Sequence, residues 1–164
     1  MLSKRTLLAA STLGAVTAIV PAQAADRSAA NADLLARYIA AFNAHDPAAL
    51  GEVIASDYVQ HNGSAGQGLA GLQATLQQYF ATFPDFHVRL DDRVISGDKV
   101  VARFTFTATH DHPVQFGPGG PVFQPTGKTL SWGGISIWHV ADGKLAQHWN
   151  EDDLVGLARQ MRGN

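Results

Sequence analysis

The stretch Lys99–His112, KVVARFTFTATHDH, decides the fold. Val100, Ala102, Phe104, Phe106 and Ala108 recur at every second position, so they share one face of a pleated strand. Arg103, Thr105, Thr107 and Thr109 face the other way. His110 is the next residue on the apolar face. A titratable side chain therefore ends a buried row, and a pocket mouth is expected there.

On either side of this strand the same period of two continues. Phe86, Val88, Leu90 and Val94 alternate with polar residues, and Ser96-Gly97-Asp98 is a hairpin turn signal. Pro113 to Pro125 carries four prolines and several glycines, so it reads as a loop. Lys128 to Val140 is a second long strand, and Asp142-Gly143 turns it back into Lys144–Asn150. Leu130, Trp132 and Trp138 mark one face of the second strand and Ile135 and Ile137 the other. Apolar bulk on both faces suggests that a partner subunit covers the outer one.

Before the strands the spacing is helical. Ala25–Ala30 is a small-residue lead-in. Leu34, Leu35, Tyr38, Ile39 and Phe42 form a stripe, with Ser28 or Asn31 available as N-cap. Asp46-Pro47 opens a short second helix, Pro47 to about Ala55. Ser56–Asn62 is extended and Gly63–Gly68 is a turn. Leu69–Phe83 is a third helix, stopped by Phe83-Pro84-Asp85. Asp152–Met161 closes the chain as a short helix. Segregated helices followed by hairpin-linked strands predict an α+β domain, with a curved antiparallel sheet packed on the N-terminal helices.

The first residues have another purpose. Lys4 and Arg5 precede the apolar run Thr6–Val20, and Ala22-Gln23-Ala24 offers a small-x-small cleavage site. Residues 1–24 therefore read as a secretory signal peptide and 25–164 as one domain, periplasmic or secreted. No cysteine occurs, so neither a lipid anchor of the lipobox type nor a disulfide framework is available. The net charge is −2, and −4 once Lys4 and Arg5 leave with the signal, which argues against nucleic acid as a partner.

The chemistry-bearing residues fall in two clusters. His110 and His112 have metal-ligand spacing, but Pro113 follows at once and no third ligand is near in sequence; no metal site is expected. His148-Trp149-Asn150-Glu151-Asp152-Asp153 joins an imidazole, an indole, an amide and three carboxylates where a strand feeds a helix. At least one of these acids caps the helix. A carboxylate at the rim of an apolar pocket would have a raised pKa and could remove a carbon-bound proton. Tyr38, Tyr58, His61, Phe106 and Trp132 are candidate pocket-lining residues, with Trp149 and Asn150. His45, His87 and Arg89 read as surface residues. No GxSxG elbow, phosphate loop or dinucleotide motif is present, and no cofactor is expected.

Taken in order, several pieces resemble one family. They are Phe42-Asn43-x-x-Asp46, Asp57-Tyr58-Val59-x-His61, Phe83-Pro84-Asp85, Gly97-Asp98-Lys99-Val100, Thr109-His110, Pro125-Thr126-Gly127-Lys128, Asp142-Gly143-Lys144, His148-Trp149 and Asp153-Leu154-Val155-Gly156-Leu157 with Gln160. The chain from about Tyr38 to Met161 resembles the SnoaL-like polyketide cyclases, or predicted ester cyclases, of the nuclear transport factor two-like superfamily. The resemblance implies a cone-shaped α+β fold around one apolar cavity and frequent dimers through the outer sheet face. It also implies an aspartate that acts as general acid/base in a cofactor-independent aldol closure. By position in the motif Asp153 matches that aspartate, with His110 and His148 orienting the substrate or steadying an enolate oxygen. The segment Val114–Phe123 exceeds the usual family loop and is expected to lid the pocket. The expected function is an exported cyclase, isomerase or dehydratase acting on a small apolar carbonyl compound. The alternative is a non-catalytic carrier or sensor of a small hydrophobic ligand.

Overall fold

The computed structural model describes residues 22–62, 67–117 and 119–162. Residues 1–21 of the expected signal peptide lie outside them, as does most of the expected Gly63–Gly68 turn.

Helix α1 (Ala22–Asn43) leads into a single 3-10 turn (Ala48–Glu52), strand β1 (Ile54–Gln60) and helix α2 (Gly68–Thr82). Strands β2 (His87–Ser96) and β3 (Lys99–Thr109) form the first long hairpin. Two short strands, β4 (Val114–Gln115) and β5 (Val122–Phe123), precede β6 (Thr129–Ala141), β7 (Lys144–Asp152) and helix α3 (Leu154–Arg162). The five-stranded sheet has the order β1-β7-β6-β3-β2. Only β1–β7 is a parallel pair; the others are antiparallel.

The alternation of β3 is realised as read. Val100, Ala102, Phe104, Ala108 and His110 are buried, and Phe106 is half-buried. On β6 the inner row is Leu130, Trp132, Gly134, Ser136 and Trp138, while Ile135 and Ile137 stay exposed on the other face. Leu34, Leu35, Tyr38 and Ala41 of α1 and Leu72, Leu76 and Phe80 of α2 cover the inner face. Tyr38 meets Trp138 edge-on at 5.3 Å, and Phe86, Phe106 and Trp132 pack ring on ring. This aromatic layer is one part of the core, beside aliphatic residues such as Leu35, Leu50, Ile54, Val100 and Leu145, and each ring brings a large apolar area out of water.

Four local expectations change. Ala25–Ala30 is helical, because the alanine-rich run has high helix propensity even where it is exposed. Asn31 is consequently inside α1 and caps nothing; its amide donates to the Gly97 carbonyl in the β2–β3 turn. The second helix shrinks to one turn. Asp46 Oδ1 accepts the N–H groups of Ala48 and Ala49 and starts it, but the Leu145 N–H bonds to the Val53 carbonyl and draws the next residues into β1. The Pro113–Pro125 loop contains the β4–β5 hairpin, in which Val114 pairs Phe123 and Phe116 packs on Phe123 at 5.6 Å. His45 is half-buried in its turn rather than on the surface, stacked on Phe80 at 4.5 Å with Nε2 at 2.8 Å from the Phe86 carbonyl.

Candidate active site

Strand parity sorts the second cluster. Across the sheet Val100 pairs Trp138 and Trp138 pairs His148; Ala102 pairs Ser136 and Ser136 pairs Asn150; Phe104 pairs Gly134 and Gly134 pairs Asp152. Partners across a ladder share a face, so His148, Asn150 and Asp152 point inward with the core. Trp149 and Glu151 point outward. The strand runs through Asp152, and the helix begins only after Asp153.

Asp153 is therefore not the inward carboxylate. It is exposed, and its Oδ1 accepts the Gly156 N–H at 2.7 Å, the contact of an N-cap. With Arg103, Ile135, Glu151 and its neighbour Asp152 it also lines a shallow hollow of about 450 Å³, where Gly133 offers no side chain. The acid that the fold takes inside is its neighbour, Asp152. Asn150 Nδ2 donates to Asp152 Oδ2 at 3.0 Å. Burial raises the pKa of Asp152, the Asn150 hydrogen bond lowers it, and the Glu151 charge raises it further; the balance is upward.

Gly134 makes the space for this carboxylate. A Cβ on Gly134 would lie 2.2 Å from Asp152 Oδ1 and 2.7 Å from Phe106 Cε2. The carboxylate and the ring edge thus occupy the volume that any other residue at 134 would fill. The Asp152 charge reaches both Tyr38 and Tyr79: burial raises the pKa of each, followed for Tyr38 by Tyr58 and then Asp152, and for Tyr79 by Asp152. Both remain protonated donors.

Towards the β1 edge the polar row continues. Asn150 Oδ1 accepts from Gln60 Nε2 at 2.7 Å, and Gln60 Oε1 lies 2.5 Å from the Tyr58 hydroxyl and 2.8 Å from His148 Nδ1. Tyr58 is 1% and His148 8% exposed. Burial pushes the His148 pKa down to about 3, so the ring is neutral. Its plane stacks on Trp138 at 4.7 Å. His148 Nε2, Trp138 Nε1 and His110 Nε2 are buried with no hydrogen-bond partner.

The other expected site residues divide accordingly. Tyr38, Tyr58, Phe106, Trp132 and Asn150 are on the inner side, Trp132 within the aromatic layer between Phe83 and Phe106. His61 and Trp149 are not: their rings stack on each other at 4.1 Å on the outer face, with Lys99 Nζ 5.4 Å from the indole centroid. His61 follows Gln60 and has the opposite parity, which is the physical reason for its turning out. His110 is fully buried rather than at a mouth, its Nδ1 3.2 Å from Thr126 Oγ1 beside the β4–β5 hairpin. It lies ten residues along β3 from Val100, the residue level with His148, roughly 30 Å of strand away. His110 and His148 cannot meet on one ligand atom. Gln60, Tyr79 and Gly134 were not singled out in the sequence; the same i, i+2 step that links Tyr58 to Gln60 would have found the first. Among the described residues no group of three or more His, Cys, Asp or Glu is arranged to hold a metal ion, and no helix is long and apolar enough to cross a membrane.

With this geometry in hand, the comparisons decide the family. The family model for SnoaL-like polyketide cyclase matches residues 32–161. The chain belongs to that family. The structure of TsrD from Streptomyces laurentii is 35% identical with a TM-score of 0.71, covering 81% of this chain and 95% of its own. IdmH from Streptomyces antibioticus, a polyketide cyclase by assignment, is 29% identical with a TM-score of 0.66, covering 80% and 97%. A Bacillus cereus protein with the same assignment is 25% identical with a TM-score of 0.64, covering 79% of this chain and 78% of its own. No protein of curated function is significantly similar. The SnoaL-like chain thus has the α+β architecture of the nuclear transport factor two-like fold, a scaffold suited to cyclase or isomerase chemistry.

Proposed function

We propose that this protein is an exported acid/base enzyme that forms an enolate from a small apolar carbonyl compound and lets it close a ring or isomerise. The observation that carries the reading is the inward Asp152 carboxylate, held by Asn150 in the Gly134 notch with its pKa raised by burial. A raised pKa brings a carboxylate closer to the value at which it both takes and returns a proton. Asp152 removes a proton from the carbon next to the carbonyl, and the C–H electron pair moves into the enolate. A phenol of Tyr38 or Tyr79 donates a hydrogen bond to the oxygen where charge develops. The enolate carbon then attacks a second carbonyl, whose alkoxide oxygen takes the proton back from the Asp152 acid, or is itself reprotonated at another position by that acid; either way the carboxylate is restored. These steps need no cofactor.

Two further parts belong to this reading. Val94, Ile135 and Ile137 are exposed together on the outer sheet face, and a second copy of the chain would cover them. Residues 1–24 direct export as a signal peptide.

The test is deuterium exchange at the carbon next to the carbonyl of 2-tetralone in D2O, followed by NMR. Wild type is expected to accelerate it, Asp152→Asn to lose at least about 10²-fold of that, and Asp153→Asn to keep it. Exchange that survives Asp152→Asn removes the mechanism. Binding of the ketone with no exchange in any form favours the carrier.

A further inference from the structure

The polar row inside β7 and β1 has a direction, and that direction fixes where the proton of His148 sits. At one end is the Asp152 carboxylate, which in its ionised form only accepts; it orients the Asn150 amide with Nδ2 towards itself and Oδ1 away. Asn150 Oδ1 then requires a donor, and Gln60 Nε2 supplies it at 2.7 Å. A second, independent contact fixes the same amide: Gln60 Nε2 also donates to the Asn62 backbone carbonyl at 2.7 Å, and a carbonyl cannot donate. Gln60 Oε1 is left as an acceptor facing Tyr58 and His148 at 2.5 and 2.8 Å.

Consider the two neutral forms of His148. With the proton on Nδ1, the ring donates to Gln60 Oε1, and Tyr58 Oη, 2.8 Å away, lies close enough to share that proton; the Tyr58 hydroxyl then donates to the same Gln60 oxygen. Every contact is attractive. With the proton on Nε2, the lone pairs of Nδ1 and Gln60 Oε1 face each other at 2.8 Å. Tyr58 has one proton and can satisfy only one of them. Nε2–H would meanwhile be a buried donor with no acceptor.

We infer that Gln60 is a positioning residue that locks His148 in its Nδ1–H form, so that the nitrogen turned to the interior, Nε2, carries a lone pair and accepts from a hydroxyl. His148 is thus an acceptor and not a donor to an enolate oxygen. Two acceptors, Asp152 and His148 Nε2, then lie on one strand face, roughly 13 Å of strand apart. A molecule that engages both carries a hydroxyl at the end remote from the carbon acid. The tautomer holds whether or not Asp152 is a base; only the place of that hydroxyl in the substrate rests on the acid/base reading.

The lock is read without substrate, from long-range ¹H–¹⁵N correlations of ¹⁵N-histidine-labelled protein, with His148 assigned by its loss in His148→Asn. Wild type is expected to show a protonated Nδ1 and a pyridine-type Nε2, in a ratio of roughly 10:1 or more. Gln60→Met removes the acceptor and should turn the ratio towards Nε2–H, with the Tyr58 hydroxyl donating to Nδ1. Tyr58→Phe keeps the acceptor and should leave Nδ1–H dominant. A wild-type Nε2–H form, or a folded Gln60→Met protein with the wild-type ratio, overturns the inference. Should Gln60→Met not fold, the wild-type and Tyr58→Phe spectra decide it. Loss of 2-tetralone exchange in Asp152→Asn with an unchanged His148 spectrum would show the two conclusions to be separable, whereas a Tyr58→Phe protein that shows Nε2–H assigns the lock to the phenol and refutes the role of Gln60.

Discussion

Between pH 7 and pH 5 the protein is expected to lose about 2 kcal/mol of stability through His148 alone. The ring is 8% exposed, and burial lowers its pKa from 6.5 to about 3. It stays neutral in the folded chain across this range, while in the unfolded chain it takes up a proton below about pH 6.5. The unfolded state therefore binds more protons, and stability falls as pH falls. The loss begins near the unfolded value and is complete near the folded one, where it totals about 5 kcal/mol at about 1.4 kcal/mol per unit. Asp152 works in the opposite sense. Its raised pKa means that protonation favours the folded state, so it gains stability as pH falls towards about 4. Urea unfolding of wild type and His148→Asn at pH 7, 6 and 5 separates the two. The difference between the proteins should shrink by about 2 kcal/mol over that span, whatever the variant costs at pH 7. Parallel curves would refute the claim that His148 is buried neutral.

Further outcomes follow from single contacts. Asp153→Ala removes the cap of α3 and should cost about 1 kcal/mol by thermal or urea unfolding, with 2-tetralone exchange retained. Asp152→Asn should be more stable than wild type at pH 7, because the folded state no longer holds a desolvated charge; calorimetry at pH 7 and pH 4 should show the gain only at the higher pH. Gly134→Ala drives a methyl into both Asp152 and Phe106 and should destabilise by about 1–3 kcal/mol and abolish exchange. Mass spectrometry of the protein from a periplasmic fraction should find Ala25 at the N-terminus.

The fold was legible because its strongest signal is local. The alternation of Lys99–His112 reports a face directly, and β2, β3, β6 and β7 emerge within a few residues of their expected spans. Helix ends were less legible: Ala25–Ala30 has no apolar stripe, so only propensity marks it, and the strand ladder of Val53 and Ile54 is a long-range contact with β7. The inward carboxylate lies one residue from the acid that the motif marks. A motif locates Asp153 in a series, but parity counted from His148 selects Asp152, and whether the strand persists that far depends on pairing with Gly134. His61 and Trp149 failed for the same reason. Polar aromatic neighbours in a sequence alternate between faces, and only one face is the interior. His110 and His148 were grouped by residue type, while the register sets them at opposite ends of the sheet.

The Gly134 notch makes two positions epistatic. A side chain at 134 and an acid at 152 exclude each other, since both claim the volume beside Phe106. A chain that shortens residue 152 first can then gain a side chain at 134, relieving the roughly 0.5–1 kcal/mol that glycine costs inside a regular element. The reverse order passes through a strained intermediate. Substitutions at these two positions should therefore occur in pairs among relatives that keep the fold.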